Sequence, residues 1–142
     1  MKAIKFIILA LFISFSFVAI AKDDEAKENK LTMNYAVQVY IDAVTQGKLK
    51  DFGDILDNQM KFTVTQGEKI VSFSKREMLE AMKATENIQQ NCKTDYSVVE
   101  QNDSQSIIKV TMAYDDFTKL SYVTIGNTNK GWKITNVSSV FR

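Results

Sequence analysis

The sequence predicts an α+β fold, a curved antiparallel sheet of about six strands wrapped around a long N-terminal helix, with two shorter helices beside it. Three observations carry that reading. An apolar stripe of helical period opens at Met33, a capping box stands at Ser74–Glu77, and the chain after Cys92 alternates with the two-residue period of strands. Helices followed by a run of strands give an antiparallel sheet with the helices gathered on one face.

The elements follow in order. Met33, Ala36, Val37, Tyr40, Ile41 and Val44 recur three and four residues apart and form one stripe of the first helix, which Gly47 ends by taking the left-handed cap conformation. Phe52, Ile55 and Leu56 repeat the spacing in a short second helix. Met60, Phe62 and Val64 alternate with Lys61, Thr63 and Thr65, and Gln66-Gly67-Glu68 turns that strand into Lys69–Phe73, a hairpin. In Ser74-Lys75-Arg76-Glu77 a hydroxyl and a carboxylate satisfy each other's free backbone amides, which starts a third helix with Met78, Leu79 and Met82 inward. That helix is expected to fade between Glu86 and Gln90. Tyr96–Val99, Ile108–Tyr114, Lys119–Ile125 and Trp132–Phe141 then read as four strands of a meander, joined by polar turns. A sheet curled around a helix leaves a cone with a mouth.

Residues 1–21 stand apart. Lys2 and Lys5 precede an apolar run from Phe6 to Val18, and Ala19-Ile20-Ala21 supplies small residues for cleavage, the pattern of a signal peptide. From Phe6 to Ala21 the run is shorter than the roughly 20 residues a spanning helix needs. The single cysteine, Cys92, lies far from that site, so no lipid attachment is expected there. The expected location is periplasmic or secreted, with no membrane attachment after cleavage. Residues 22–30 (KDDEAKENK) have almost nothing to bury and read as a charged flexible tether, and residues 31–142 as one domain.

Composition narrows the chemistry. Removing residues 1–21 takes two of the 18 basic side chains and none of the 17 acidic ones, which leaves 16 against 17, a net charge of −1. A chain so balanced lacks the basic field that nucleic acid requires. With no histidine, the Ser-His-Asp and Cys-His arrangements and imidazole metal sites are excluded, and one cysteine makes neither an intramolecular disulfide nor a four-cysteine zinc site. No metal and no cofactor are expected. Cys92 reads as a buried structural thiol, with an intermolecular crosslink and a nucleophile as its alternatives.

The runs Tyr35–Gly47, Asp51–Asp57 and Gly131–Val137 resemble the nuclear transport factor two-like superfamily with its cystatin-like cone, over about residues 31–142. The nearest likeness is to exported bacterial members labelled putative lumazine-binding or polyketide-cyclase-like, which share a fold and no single activity. The resemblance implies frequent dimers. It also offers a catalytic comparison, since the steroid isomerases of the superfamily use a helix-one tyrosine, an aspartate base and a protonated aspartate. Tyr40 falls where that tyrosine would sit. The matching base position is Thr65-Gln66, and the strand for the second acid reads Ser121-Tyr122-Val123-Thr124, so two of three parts are missing. The His-Asp pair of the related dehydratases and cyclases is missing too.

No catalytic residue is therefore assigned. The candidate ligand pocket is Tyr40, Phe62, Met82, Met112, Tyr114, Tyr122 and Trp132, the aromatic and sulfur side chains expected to face the interior, with core packing as their alternative role. The leading functional reading is an exported, non-catalytic module that binds a small apolar or aromatic ligand or a protein partner. The alternatives are an isomerase- or dehydratase-type enzyme using Tyr40 with a carboxylate, and a dimerisation module pairing through a sheet face that carries Thr111, Thr124 and Ser138.

Overall fold

The computed structural model describes Glu25 and residues 27–142. The expected signal peptide lies outside the described residues, and within the expected tether Lys27 to Asn29 are helical and exposed. No helix among the described residues is long and apolar enough to cross a membrane.

Helix α1 spans Met33–Gln46. Thr32 caps its start by accepting from the Tyr35 amide, and Gly47 ends it at φ 66°, its amide donating to the carbonyls of Ala43 and Asp42. Ala36, Val37, Tyr40 and Ala43 form its buried stripe. The second helix is reduced to a 3-10 turn over Gly53–Ile55. Three residues with a glycine among them cannot sustain an α-helix, and Leu56 is instead drawn into strand pairing with Ile134. Phe52, Ile55 and Leu56 are nonetheless buried, as their spacing implied.

Strands β1 (Leu56–Gln66) and β2 (Lys69–Ser74) form the hairpin, and helix α2 (Lys75–Lys83) follows at once. The capping box is present in both directions: the Glu77 carboxylate accepts from the Ser74 amide at 2.7 Å, and the Ser74 hydroxyl accepts from the Glu77 amide at 3.3 Å. The helix stops at Lys83, earlier than expected, and Asn87 in the following loop takes φ 60°. Strands β3 (Lys93–Gln101), β4 (Gln105–Ala113), β5 (Thr118–Thr128) and β6 (Gly131–Phe141) make the meander.

All six strands join one sheet in the order β2-β1-β6-β5-β4-β3. The expectation of a purely antiparallel sheet is corrected at one seam, because β1 pairs parallel with β6. A parallel pair needs a long connection, and here the whole of β2 to β5 supplies it. On the inner face Met60, Ile108, Val110, Met112, Val123, Ile125, Ile134 and Val137 close over Ala36, Val37 and Tyr40 of α1.

Candidate functional site

The strands fix where a ligand could enter. β4 and β6 end, and β3 and β5 begin, at the same edge of the cone, together with the tip of the β1–β2 hairpin. This edge is the candidate mouth. On the inner face there, Lys119 of β5 stands between Met112 of β4 and Phe141 of β6. Lys119 shares the inward parity of Ser121, Val123 and Ile125, and its ammonium lies 5.9 Å from the centre of the Phe62 ring. Phe62 in turn packs on Phe73 with ring centres 6.0 Å apart.

Across the mouth, Tyr114 stacks on Phe117 at 4.5 Å, and Phe117 meets Phe141 at 5.8 Å. Phe117 and Phe141 stay 41% and 37% exposed, so the rim is aromatic and open to solvent. The Tyr114 hydroxyl donates to Gln90 Oε1 at 3.0 Å. Gln90 is held there because its amide donates to the Thr45 carbonyl at 2.7 Å, while the Asn87 amide donates to that of Gly47 at 3.0 Å. A side chain at Gly47 would collide with the Thr85 carbonyl and the Asn87 amide, so the close approach of this loop to the end of α1 requires glycine. The helix terminus thereby positions one wall of the mouth.

Three ionisable groups converge at this place. Burial pushes the Tyr114 phenol up, and the charge and hydrogen bonding of the neighbouring Cys92 push it the same way. Burial pulls the Lys119 ammonium down, opposed by Cys92. The Cys92 sulfur lies 3.5 Å from the Thr94 hydroxyl and is half-buried. Deeper in the cone, burial holds the Tyr40 phenol at about 12, with the Ser121 hydroxyl pulling partly the other way. Ser121 also shares a 2.7 Å hydrogen bond with Ser139. Burial and Ser121 are the influences on Tyr40, and no carboxylate is among them. Among the described residues no group of three or more Cys, Asp or Glu could hold a metal ion.

The residues expected to line a pocket divide into three sets. Phe62, Met112 and Tyr114 meet at the mouth around Lys119. Tyr40 is fully buried behind it, 6.4 Å from Phe52, and Met82 packs against the core from α2. Tyr122 and Trp132 are not brought to them. Tyr122 is 38% exposed on the outer face, because β5 turns Ser121, Val123 and Ile125 inward. Trp132 is the second residue of β6 and Phe141 its last, about 30 Å apart at strand rise, so Trp132 sits at the opposite end of the cone beside Leu31. Lys119, Cys92, Phe117 and Phe141 were not among the expected site residues. Lys119 is singled out only once the parity of β5 is known, because it is then a lysine at an inward position of that strand.

Comparison with known proteins agrees with this architecture. The profile of the family described as "Putative lumazine-binding" matches residues 28–142, and the chain belongs to that family. Its fold is that of the nuclear transport factor two-like, cystatin-like superfamily. The chain is similar to a solved NTF-2 like protein of unknown function from Silicibacter pomeroyi, at 13% identity and TM-score 0.66, over 82% of this chain and 98% of the other. It is similar to a second such protein from Methylobacillus flagellatus, at 11% identity and TM-score 0.60, over 84% and 93%. A protein of unknown function with a cystatin-like fold from Nostoc punctiforme aligns at 9% identity and TM-score 0.55, over 80% and 90%. No curated protein matches the sequence.

Proposed function

We propose that the chain is an exported, non-catalytic module that binds a small molecule with an apolar or planar body at the mouth of the cone. The observation that carries this reading is the mouth itself: Phe62, Phe117, Phe141 and Tyr114 leave aromatic surface open around a few convergent polar atoms, those of Lys119, Cys92 and the Tyr114 hydroxyl. Ligand sites have this composition, apolar walls with a small number of placed polar groups. The family description supports the same class, since lumazine is a flat heterocycle able to stack on such rings. The enzyme alternative needs an acid within hydrogen-bond reach of Tyr40, and Ser121 is the polar group that acts on it.

Native mass spectrometry of the chain purified from its own host tests the reading. The expected result is a co-purifying small molecule that is lost on denaturation and displaced when Phe117 is replaced by Asp. A chain that carries no adduct, and takes up none when exposed to a host extract, would refute it.

A further inference from the structure

Lys119 is poorly explained as a packing residue. Its neighbours on the inner face are Met112, Phe141 and the Phe62 ring, and burial acts against its charge. The ion pairs among the described residues are Lys30–Asp51 and Lys83–Glu80, so no carboxylate of those residues neutralises it. An ammonium partly drawn out of water without an anion costs free energy, and the ring face at 5.9 Å offsets only part of that cost. A methionine or leucine would fill the same space without the penalty. Packing alone thus leaves the charge unexplained.

An open cleft lies along the neighbouring hairpin. Phe62 packs on Phe73, and Phe73, Val64 and Val71 with Gln66 and Lys69 line a cleft of about 230 Å³. Phe62, Val64 and Gln66 of β1 pair with Phe73, Val71 and Lys69 of β2, so these side chains share one face and make a trough running from Phe62, whose ring Lys119 approaches, to the hairpin tip. Four residues of strand give it a length of about 13 Å.

We infer that the ligand of the mouth is a small amphiphile with one anionic head group, its anion seated on Lys119 Nζ and its apolar body lying along Phe62, Phe73, Val64 and Val71. The inference rests on the binding role proposed above and adds the chemical class of the ligand. The head group and the body are each matched by one part of the site, the cation and the trough.

Titration calorimetry with decanoate and with its uncharged counterpart 1-decanol, both below micellar concentration at neutral pH and fixed ionic strength, provides the test. The wild-type chain is expected to bind decanoate at least about tenfold more tightly than decanol, the lower end of what a charge-assisted hydrogen bond contributes. Lys119→Met should cost decanoate that tenfold and leave decanol unchanged, and Lys119→Arg should keep most of the preference, each variant being checked for its fold by circular dichroism. If both probes bind equally and Lys119→Met alters neither, the anion seat is wrong while the apolar binding site stands. If a folded wild-type chain binds neither probe, the amphiphilic ligand is refuted, while the binding role stands or falls with the co-purification result.

Discussion

At the scale of single residues, two side chains place opposite demands on the fold. Tyr40 is 1% exposed at the centre of the core, where its ring serves packing and its hydroxyl has Ser121 beside it. A phenol whose folded pKa is raised from 10.0 to about 12 contributes stability that is complete below pH 10 and is lost as pH rises toward 12. The full size of that loss is on the order of 2–3 kcal/mol. Tyr40→Phe is therefore expected to cost about 1 kcal/mol at pH 8, through the lost hydrogen bond, and to flatten the decline between pH 10 and 12 relative to wild type. Urea unfolding at a series of pH values measures both. Equal slopes for the two proteins would show that the phenol is more hydrated than its burial implies. Lys119 makes the contrary case, because its charge is disfavoured by the folded state. Lys119→Met is expected to leave the melting temperature unchanged or to raise it, the signature of a residue kept for binding at some cost in stability. A melting temperature lowered by several degrees would mark the lysine as structural.

At the scale of elements, the motifs whose physics is local were the legible ones. The Ser74–Glu77 capping box could be read because both of its bonds close within four residues, and the same holds for Gly47 as the end of α1. Ser74→Ala is expected to destabilise the protein by about 1 kcal/mol, measured by thermal or urea unfolding. The backbone and hydroxyl of Ser74 hold the Glu77 carboxylate below its usual range, so the carboxylate's own contribution, separate from that of the Ser74 hydroxyl, is present above pH 4.5 and fades as pH falls. The difference between wild type and Glu77→Ala should shrink accordingly in acid, and a difference that grows in acid would contradict the cap. Less legible was the facing of β5. Leu120 and Tyr122 alternate with Ser121, Val123 and Ile125, so both faces carry apolar groups and the sequence supports either parity. A shift of one residue exchanges every side chain. That exchange explains both why Tyr122 was expected inside and why Lys119 was not.

At the scale of the whole molecule, the meander was legible because short turns force neighbouring strands to pair, whereas the seam between β1 and β6 joins residues 75 to 78 apart in sequence. Alternation in Met60–Thr65 announces a strand but carries no information on its partner or direction. The converging of Phe62 on Lys119 depends on that seam and was hidden with it. The same seam makes a prediction for the distribution of stability. β6 is hydrogen-bonded on both sides, by β1 and β5, and β5 by β6 and β4, while β2 and β3 are the sheet edges. The edges are further weakened by exposed Ile70 and Val71 on β2, exposed Tyr96, Val98 and Val99 on β3, and an irregular register between Val98 and Glu100. Local openings should accordingly be cheapest at β2 and β3 and approach global unfolding at β5 and β6. Native-state hydrogen exchange is expected to show amides of Val123 and Val137 among the slowest and those of Val98 and Ile70 exchanging orders of magnitude faster. An edge strand protected as strongly as β6 would mean that another chain covers it, and pairing between copies would then proceed through the sheet edge instead of the face that carries Thr111, Thr124 and Ser138.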